Sequence, residues 1–188
     1  RLNWLKILKK DLIAQLEDKG YEVKEGRLCP NALYVKGSGL VDSKLYKMGM
    51  FSIQDESSQL ATVMLDPQHG EFIMDVCAAP GGKSLAIAER MNNTGTVLAS
   101  DVYTRKVGLI DKEAQRLGIR NIKTRTWDAT KIDSALVGKA DRVIVDAPCS
   151  GLGVVRRKPE IKYKKRTIEF DTLPRKQGEI LYASSRYV

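Results

Sequence analysis

The chain has 188 residues, 43% of them apolar and 29% charged, and a formal net charge of +9. That is enough for one domain, or one and a half, with a proper core, and the basic balance points to a polyanionic partner. No apolar run reaches the about 18 residues of a membrane span, no signal peptide is visible, and three scattered cysteines with one histidine (His69) and no CxxC pair exclude a plausible zinc site and fit a reducing cytoplasm.

In chain order, Leu5, Leu8, Leu12 and Leu16 recur at helical spacing, and Gly20 suits the helix end. Tyr21–Val23 and Ala32–Val35 read as short strands, so residues 1–50 form a small α+β unit in which Cys29 is a buried hydrophobe. A helix follows, capped by Asp55 or Ser57 and broken at Asp66-Pro67. From Phe72 onward strands and helices alternate: strand 72–77, helix 82–91, strand 96–100, helix 105–117 closed by Gly118, strand 122–126, a short element near 130–136, strand 142–146, and a helix over 173–186. Such alternation predicts an α/β fold with a parallel, doubly wound sheet in residues 51–188. The abrupt start at Arg1 and the stop at Val188 inside a helical pattern read as cut ends.

The stretch that organises this order is Asp75-Val76-Cys77-Ala78-Ala79-Pro80-Gly81-Gly82-Lys83-Ser84. It joins an apolar strand to a helix by a tight loop of small residues. Gly81 and Gly82 let the backbone turn and let a ligand approach it, and the first turn of the helix offers free N–H groups. A phosphate-binding P-loop is one reading, but that motif needs glycine where Cys77 stands, and Pro80 lacks a donor. A plain turn without a ligand is another. A loop for an adenosyl compound without phosphates is the third.

The strand ends favour the third. Asp101 ends the second strand, nineteen residues after Gly82, where a carboxylate can accept both hydroxyls of a ribose. Asp128 follows the third strand, where it can hold the amino group of an adenine, and Asp146 ends the fourth. One such aspartate is commonly a turn residue. Three at the carboxyl ends of one sheet, beside a glycine loop, mark a ligand crevice.

The segments Asp75–Lys83 and Asp146-Ala147-Pro148-Cys149-Ser150-Gly151-Leu152-Gly153 resemble motifs I and IV of the RNA (cytosine-5) methyltransferases, in particular their bacterial 16S ribosomal RNA branch. Gly49–Gln59 is similar to the segment before motif I, and Arg156–Lys162 to the basic stretch after motif IV. The resemblance implies a Rossmann-like class I methyltransferase sheet, incomplete at its C-terminal side, behind an RRM-like subdomain in residues 1–50. It implies S-adenosyl-L-methionine as cofactor, ribosomal RNA as substrate, and neither metal nor membrane. Carried over by position, Cys77, Ala78, Ala79, Pro80, Gly81, Gly82 and Lys83 make the cofactor loop. Asp101 takes the ribose, Asp128 the adenine, and Asp146 faces both cofactor and target base. Lys106 matches a basic position of the family and is given no chemistry.

Carbon 5 of cytosine is a poor nucleophile until a thiolate adds to carbon 6. Spacing alone names Cys149 for that attack, with Asp146 and Lys83 beside it. The family instead uses a second cysteine, in a Thr-Cys pair after the next strand, and leaves the Pro-Cys cysteine to assist product release. The chain therefore reads as a fragment that binds cofactor but lacks the nucleophile.

The run Arg156–Arg166 holds seven Lys or Arg and one acid, Glu160, and so supplies most of the net charge. Either it is a solvated loop or it guides RNA through Arg156, Arg157, Lys158 and Lys162 by phosphate contacts, with Tyr163 free to stack on a base. A non-catalytic RNA-binding module and a P-loop-like nucleotide hydrolase are the competing functions.

Overall fold

The computed structural model describes residues 1–156, 159–163 and 167–188, with the backbone alone for Lys162 and residues 167–171. Residues 72–188 form an α/β layer built on four parallel strands: β3 (Phe72–Asp75), β4 (Thr96–Asp101), β5 (Ile122–Thr126) and β6 (Arg142–Ile144), in the order β5-β4-β3-β6. The numbering allows for β1 (Glu22–Glu25) and β2 (Leu33–Lys36), an antiparallel pair in the N-terminal unit.

β3, inside the sheet, is apolar because both its faces are covered, whereas the edge strand β5 carries Lys123 and Arg125. Along β3 the side chains alternate. Ile73 packs into a layer with Leu85, Ile87 and Met91 around α4 (Gly82–Arg90) and Ile110, Ala114 and Leu117 of α5 (Thr104–Leu117). Met74 packs on the opposite face with Ile180 of α6 (Thr167–Ser184) and with Tyr187. The chain runs outward from β3 to β4 and β5, then crosses back to lay β6 on the other side of β3. That reversal opens a crevice at the carboxyl ends of β3 and β6.

The N-terminal unit has its own core, Leu12 and Leu16 of α1 (Lys9–Glu17) with Leu2, Leu45 and Phe51. A short helix, α2 (Lys44–Lys47), starts at Ser43, whose hydroxyl accepts from Tyr46 N at 3.2 Å, and α3 (Glu56–Leu65) leads into the sheet. Asn3, wholly buried, fastens the unit to the sheet: its Nδ2 donates to Gly49 O (2.8 Å) and to Leu117 O (2.9 Å).

Three predicted elements shift. The first helix begins at Lys9 rather than Leu5, because Lys6 N and Ile7 N close a turn on Asn3 O and Leu8 is extended. The last helix begins at Thr167 and runs through Pro174 to Ser184. The strand expected at Tyr21 lies over Glu22–Glu25. Among the described residues no helix is long and apolar enough to cross a membrane, and no group of His, Cys, Asp or Glu is placed to hold a metal ion.

Candidate active site

The loop between β3 and α4 is held from both sides. Val76 N donates to Ile144 O (3.3 Å) beyond β3 on one flank, and Ala78 N donates to Ser100 O (2.8 Å) on the other. Gly81 N closes the turn on Ala78 O at 2.7 Å, with φ at 103°, a conformation that suits only glycine. A Cβ on Gly81 would stand 3.1 Å from Ile110 and 3.3 Å from Leu85, so the missing side chain lets α4 close on α5. Gly81 thus serves the turn that the sequence suggested, and the packing of α4 on α5 as well.

Asp75, at the end of β3, is 1% exposed and accepts from Ser84 Oγ at 2.6 Å, which ties the strand end to the first turn of α4. Burial raises its carboxyl to about 6, against the partial opposition of the Ser84 hydroxyl and the Cys77 amide. Burial, with the charge of Asp75, pushes the Cys77 thiol up to about 12, which leaves it protonated and inert at neutral pH.

The three aspartates stand at neighbouring strand ends. Asp101 Oδ1 accepts from Tyr103 N (3.1 Å) and its Oδ2 from Ala79 N (3.3 Å), so the acid after β4 braces the loop after β3. Asp128 accepts from the hydroxyl (2.8 Å) and the amide (3.1 Å) of Thr130, and these bonds hold its carboxyl below the usual carboxylate range. Asp146 Oδ2 meets Lys83 Nζ at 2.5 Å.

Between them lies a cleft of about 190 Å³ into which Asp101, Asp128 and Asp146 all face, with Cys77 and Ala79 on the loop side and Val102, Ala129 and Ile180 as apolar wall. Ala78 is buried beneath the loop and Pro80 is exposed; with Gly81 and Gly82 they form the turn behind the cleft rather than its lining. Cys149 is exposed, one residue beyond Pro148, which does line the cleft. Cys29 is buried far from it, its amide donating to Glu56 Oε1. Carboxylates for a diol and an amino group, with apolar walls for a ring, fit an adenosyl ligand. They do not fit a polyphosphate, since the P-loop-like Lys83 is already paired with Asp146.

A larger cavity, about 290 Å³, lies apart from this site between the N-terminal unit and residues 51–59, floored by Leu12, Leu16 and Phe51. Of the basic run, Arg156 is exposed and Tyr163 is 84% exposed, while Arg157, Lys158 and the side chain of Lys162 lie outside the described residues.

Sequence reasoning missed two sets of residues. Arg1 reaches over the cofactor loop from the N-terminal unit, donating to Gln54 Oε1 (2.5 Å), Gly82 O (2.7 Å) and Glu89 Oε1 (2.8 Å). An acid inside the apolar pattern Leu85–Ala88 was the available signal for Glu89. On α6, Lys176 and Ile180 line the cleft, and Gln177 Nε2 donates to Pro148 O at 2.7 Å, holding the residue before Cys149.

Residues 62–188 match the family described as 16S rRNA methyltransferase RsmB/F. The probable ribosomal RNA small subunit methyltransferase B of Bacillus subtilis is 42% identical over 182 residues, 96% of this chain and 41% of that protein, so the chain spans about two fifths of that relative's length. A methyltransferase homologue from Pyrococcus horikoshii superposes on the whole chain and 59% of its own, with a TM-score of 0.83 and 29% identity. NSun6 from Pyrococcus horikoshii, solved with SFG, has the same fold, with a TM-score of 0.90 and 20% identity over the whole of this chain and 71% of that one.

Proposed function

Since the chain belongs to the 16S rRNA methyltransferase RsmB/F family, we propose that it takes part in methylating carbon 5 of a cytosine in ribosomal RNA, in the cytoplasm, with S-adenosyl-L-methionine as methyl donor. The observation that carries this reading is the convergence of Asp101, Asp128 and Asp146 on one cleft beside the glycine turn. The cofactor, when bound, supplies an electrophilic methyl group. Asp101 holds the ribose, Asp128 the adenine amino group, and Val102, Ala129 and Ile180 exclude water from the ring. Asp146, kept in place by Lys83, faces the target base and steadies its amino edge.

The reaction also needs a thiolate on carbon 6 of cytosine, which makes carbon 5 enamine-like; loss of the carbon 5 proton and of the thiol completes it. Cys29 is buried and Cys77 is held protonated. Cys149 stands at the cleft, and we assign it to product release, as the resemblance implies. The attacking cysteine then lies outside these 188 residues, and this stretch supplies cofactor and RNA binding. Residues 1–50 are assigned an RRM-like, RNA-orienting role, on the support of the β1–β2 pair backed by α1.

Calorimetry with S-adenosylhomocysteine tests the cofactor site, and ATP with magnesium is expected to give no binding. RNA carrying 5-fluorocytosine tests the division of labour, because fluorine cannot leave carbon 5 as a proton does. This stretch should form no covalent adduct. An adduct that disappears in Cys149→Ser would make Cys149 the nucleophile.

A further inference from the structure

The cleft contains a cation that the reaction does not use. Lys176, an exposed residue of α6, lines the cleft. Its backbone is well fixed: Ile180, one turn on, is 2% exposed in the core, and the neighbouring Gln177 is bound to Pro148 O. Among the described residues its ammonium takes part in no ion pair, whereas Lys83 is matched by Asp146 and Lys106 lies over the Tyr103 ring at 4.5 Å. It lines the cleft together with Cys77 of the loop and with Asp128. Its charge is the smallest influence on both groups: it opposes the burial that raises the Cys77 thiol, and it adds to the Thr130 bonds that lower Asp128. A ligand lying between these two groups sits in the field of that charge.

We propose that Lys176 sets the preference of the site between the cationic cofactor and its neutral product. This rests on the cofactor reading above. S-adenosylmethionine and S-adenosylhomocysteine differ by one methyl group and one positive charge at sulfur. An ammonium lining the cleft disfavours the sulfonium form and leaves the thioether form untouched. Two unit charges about 8 Å apart, in a medium between water and a protein surface, shift a binding ratio roughly two- to sixfold. The site therefore holds its product more firmly, relative to its substrate, than the carboxylates alone would allow. Lys176 is a specificity residue acting through charge, with no bond to the ligand required.

The test is a charge series read by calorimetry with both ligands at low salt: the parent chain, Lys176→Arg, Lys176→Met and Lys176→Glu. The ratio of the two affinities should stay put in Lys176→Arg, move towards S-adenosylmethionine roughly two- to sixfold in Lys176→Met, and move further in Lys176→Glu. The differences should collapse near 1 M salt, where screening acts within about 3 Å. If all four proteins bind both ligands with one common ratio, Lys176 has no such role and the cofactor site stands. Equal weakening of both ligands in Lys176→Met would assign the residue to packing and overturn the inference. If the parent binds neither ligand, the cofactor reading falls and this inference with it.

Discussion

Lys83 and Asp146, sixty-three residues apart, meet at 2.5 Å and link the first turn of α4 to the loop after β6. The pair is partly open to solvent: the Lys83 side chain is 20% exposed and that of Asp146 58%. Exposed pairs contribute at most about 1 kcal/mol to stability. The loop after β3 is also held by its own amides, on Ile144 O and Ser100 O. Lys83→Met should therefore change the unfolding free energy by less than about 1 kcal/mol, read from urea denaturation. A larger loss would give the pair a structural role.

Asp101, proposed above to hold the ribose, also braces Ala79. Asp101→Ala should weaken S-adenosylhomocysteine binding by roughly 1.5–3 kcal/mol, the range for hydrogen bonds to a charged group. Unchanged calorimetric affinity would remove Asp101 from the site.

Arg1 and Glu89 form a pair whose side chains are only 5% and 3% exposed. Arg1→Met leaves the acid buried without its cation, which costs about 3–5 kcal/mol in such settings. Adding Glu89→Leu should restore most of that loss. A double variant as unstable as the single one would place the defect in the bonds to Gln54 and Gly82 instead.

Asp75 makes stability depend on pH. Its folded carboxyl titrates at about 6 against 3.8 for the free group, so the folded state holds the proton more tightly than the unfolded chain. The stability it contributes is complete below 3.8 and is lost as pH rises through about 6. Asp75→Asn, which can still accept from Ser84, should flatten the urea midpoint between pH 4 and 6 and raise it, relative to the parent, above pH 6. Some slope will remain, because burial also raises the carboxyl of Glu89. A variant with the parent's full slope would clear Asp75 of the effect.

If the basic run guides RNA as proposed, its binding is electrostatic. Changing Arg156, Arg157 and Lys158 to glutamine should weaken many RNAs alike and reduce the slope of log K against log salt by roughly 0.7–0.9 per lost phosphate contact. Identical slopes would make the run a solvated loop.

β3 and β4 were legible because strands covered on both faces read as apolar runs, and the site because those runs end in an acid or a glycine turn; β5, with Lys123 and Arg125, was legible from its place in the alternation. Phe72–Asp75 and Thr96–Asp101 show both signals within six residues or fewer. What sequence could not supply were contacts made at long range. Nothing local to Gly81 tells that a Cβ there would meet Ile110 on another helix. Nothing local to Arg1 tells that its guanidinium donates to Gly82 O. Lys176 sat in a helix beyond a basic run, and only the fold of α6 onto β3 and β6 brings it to the cleft. The late start of α1 came from a local competitor, the turn closed on Asn3.

Asn3 has a wider effect than holding two carbonyls. Moving the N-terminal unit off α5 would strip this buried amide of Leu117 O, while Gly49 O, in the same unit, would travel with it, and a lost buried hydrogen bond is costly. Gly49 allows the close approach, since a Cβ there would lie 2.0 Å from Arg116 O. The join between the N-terminal unit and the end of α5 is therefore a fixed joint rather than a hinge.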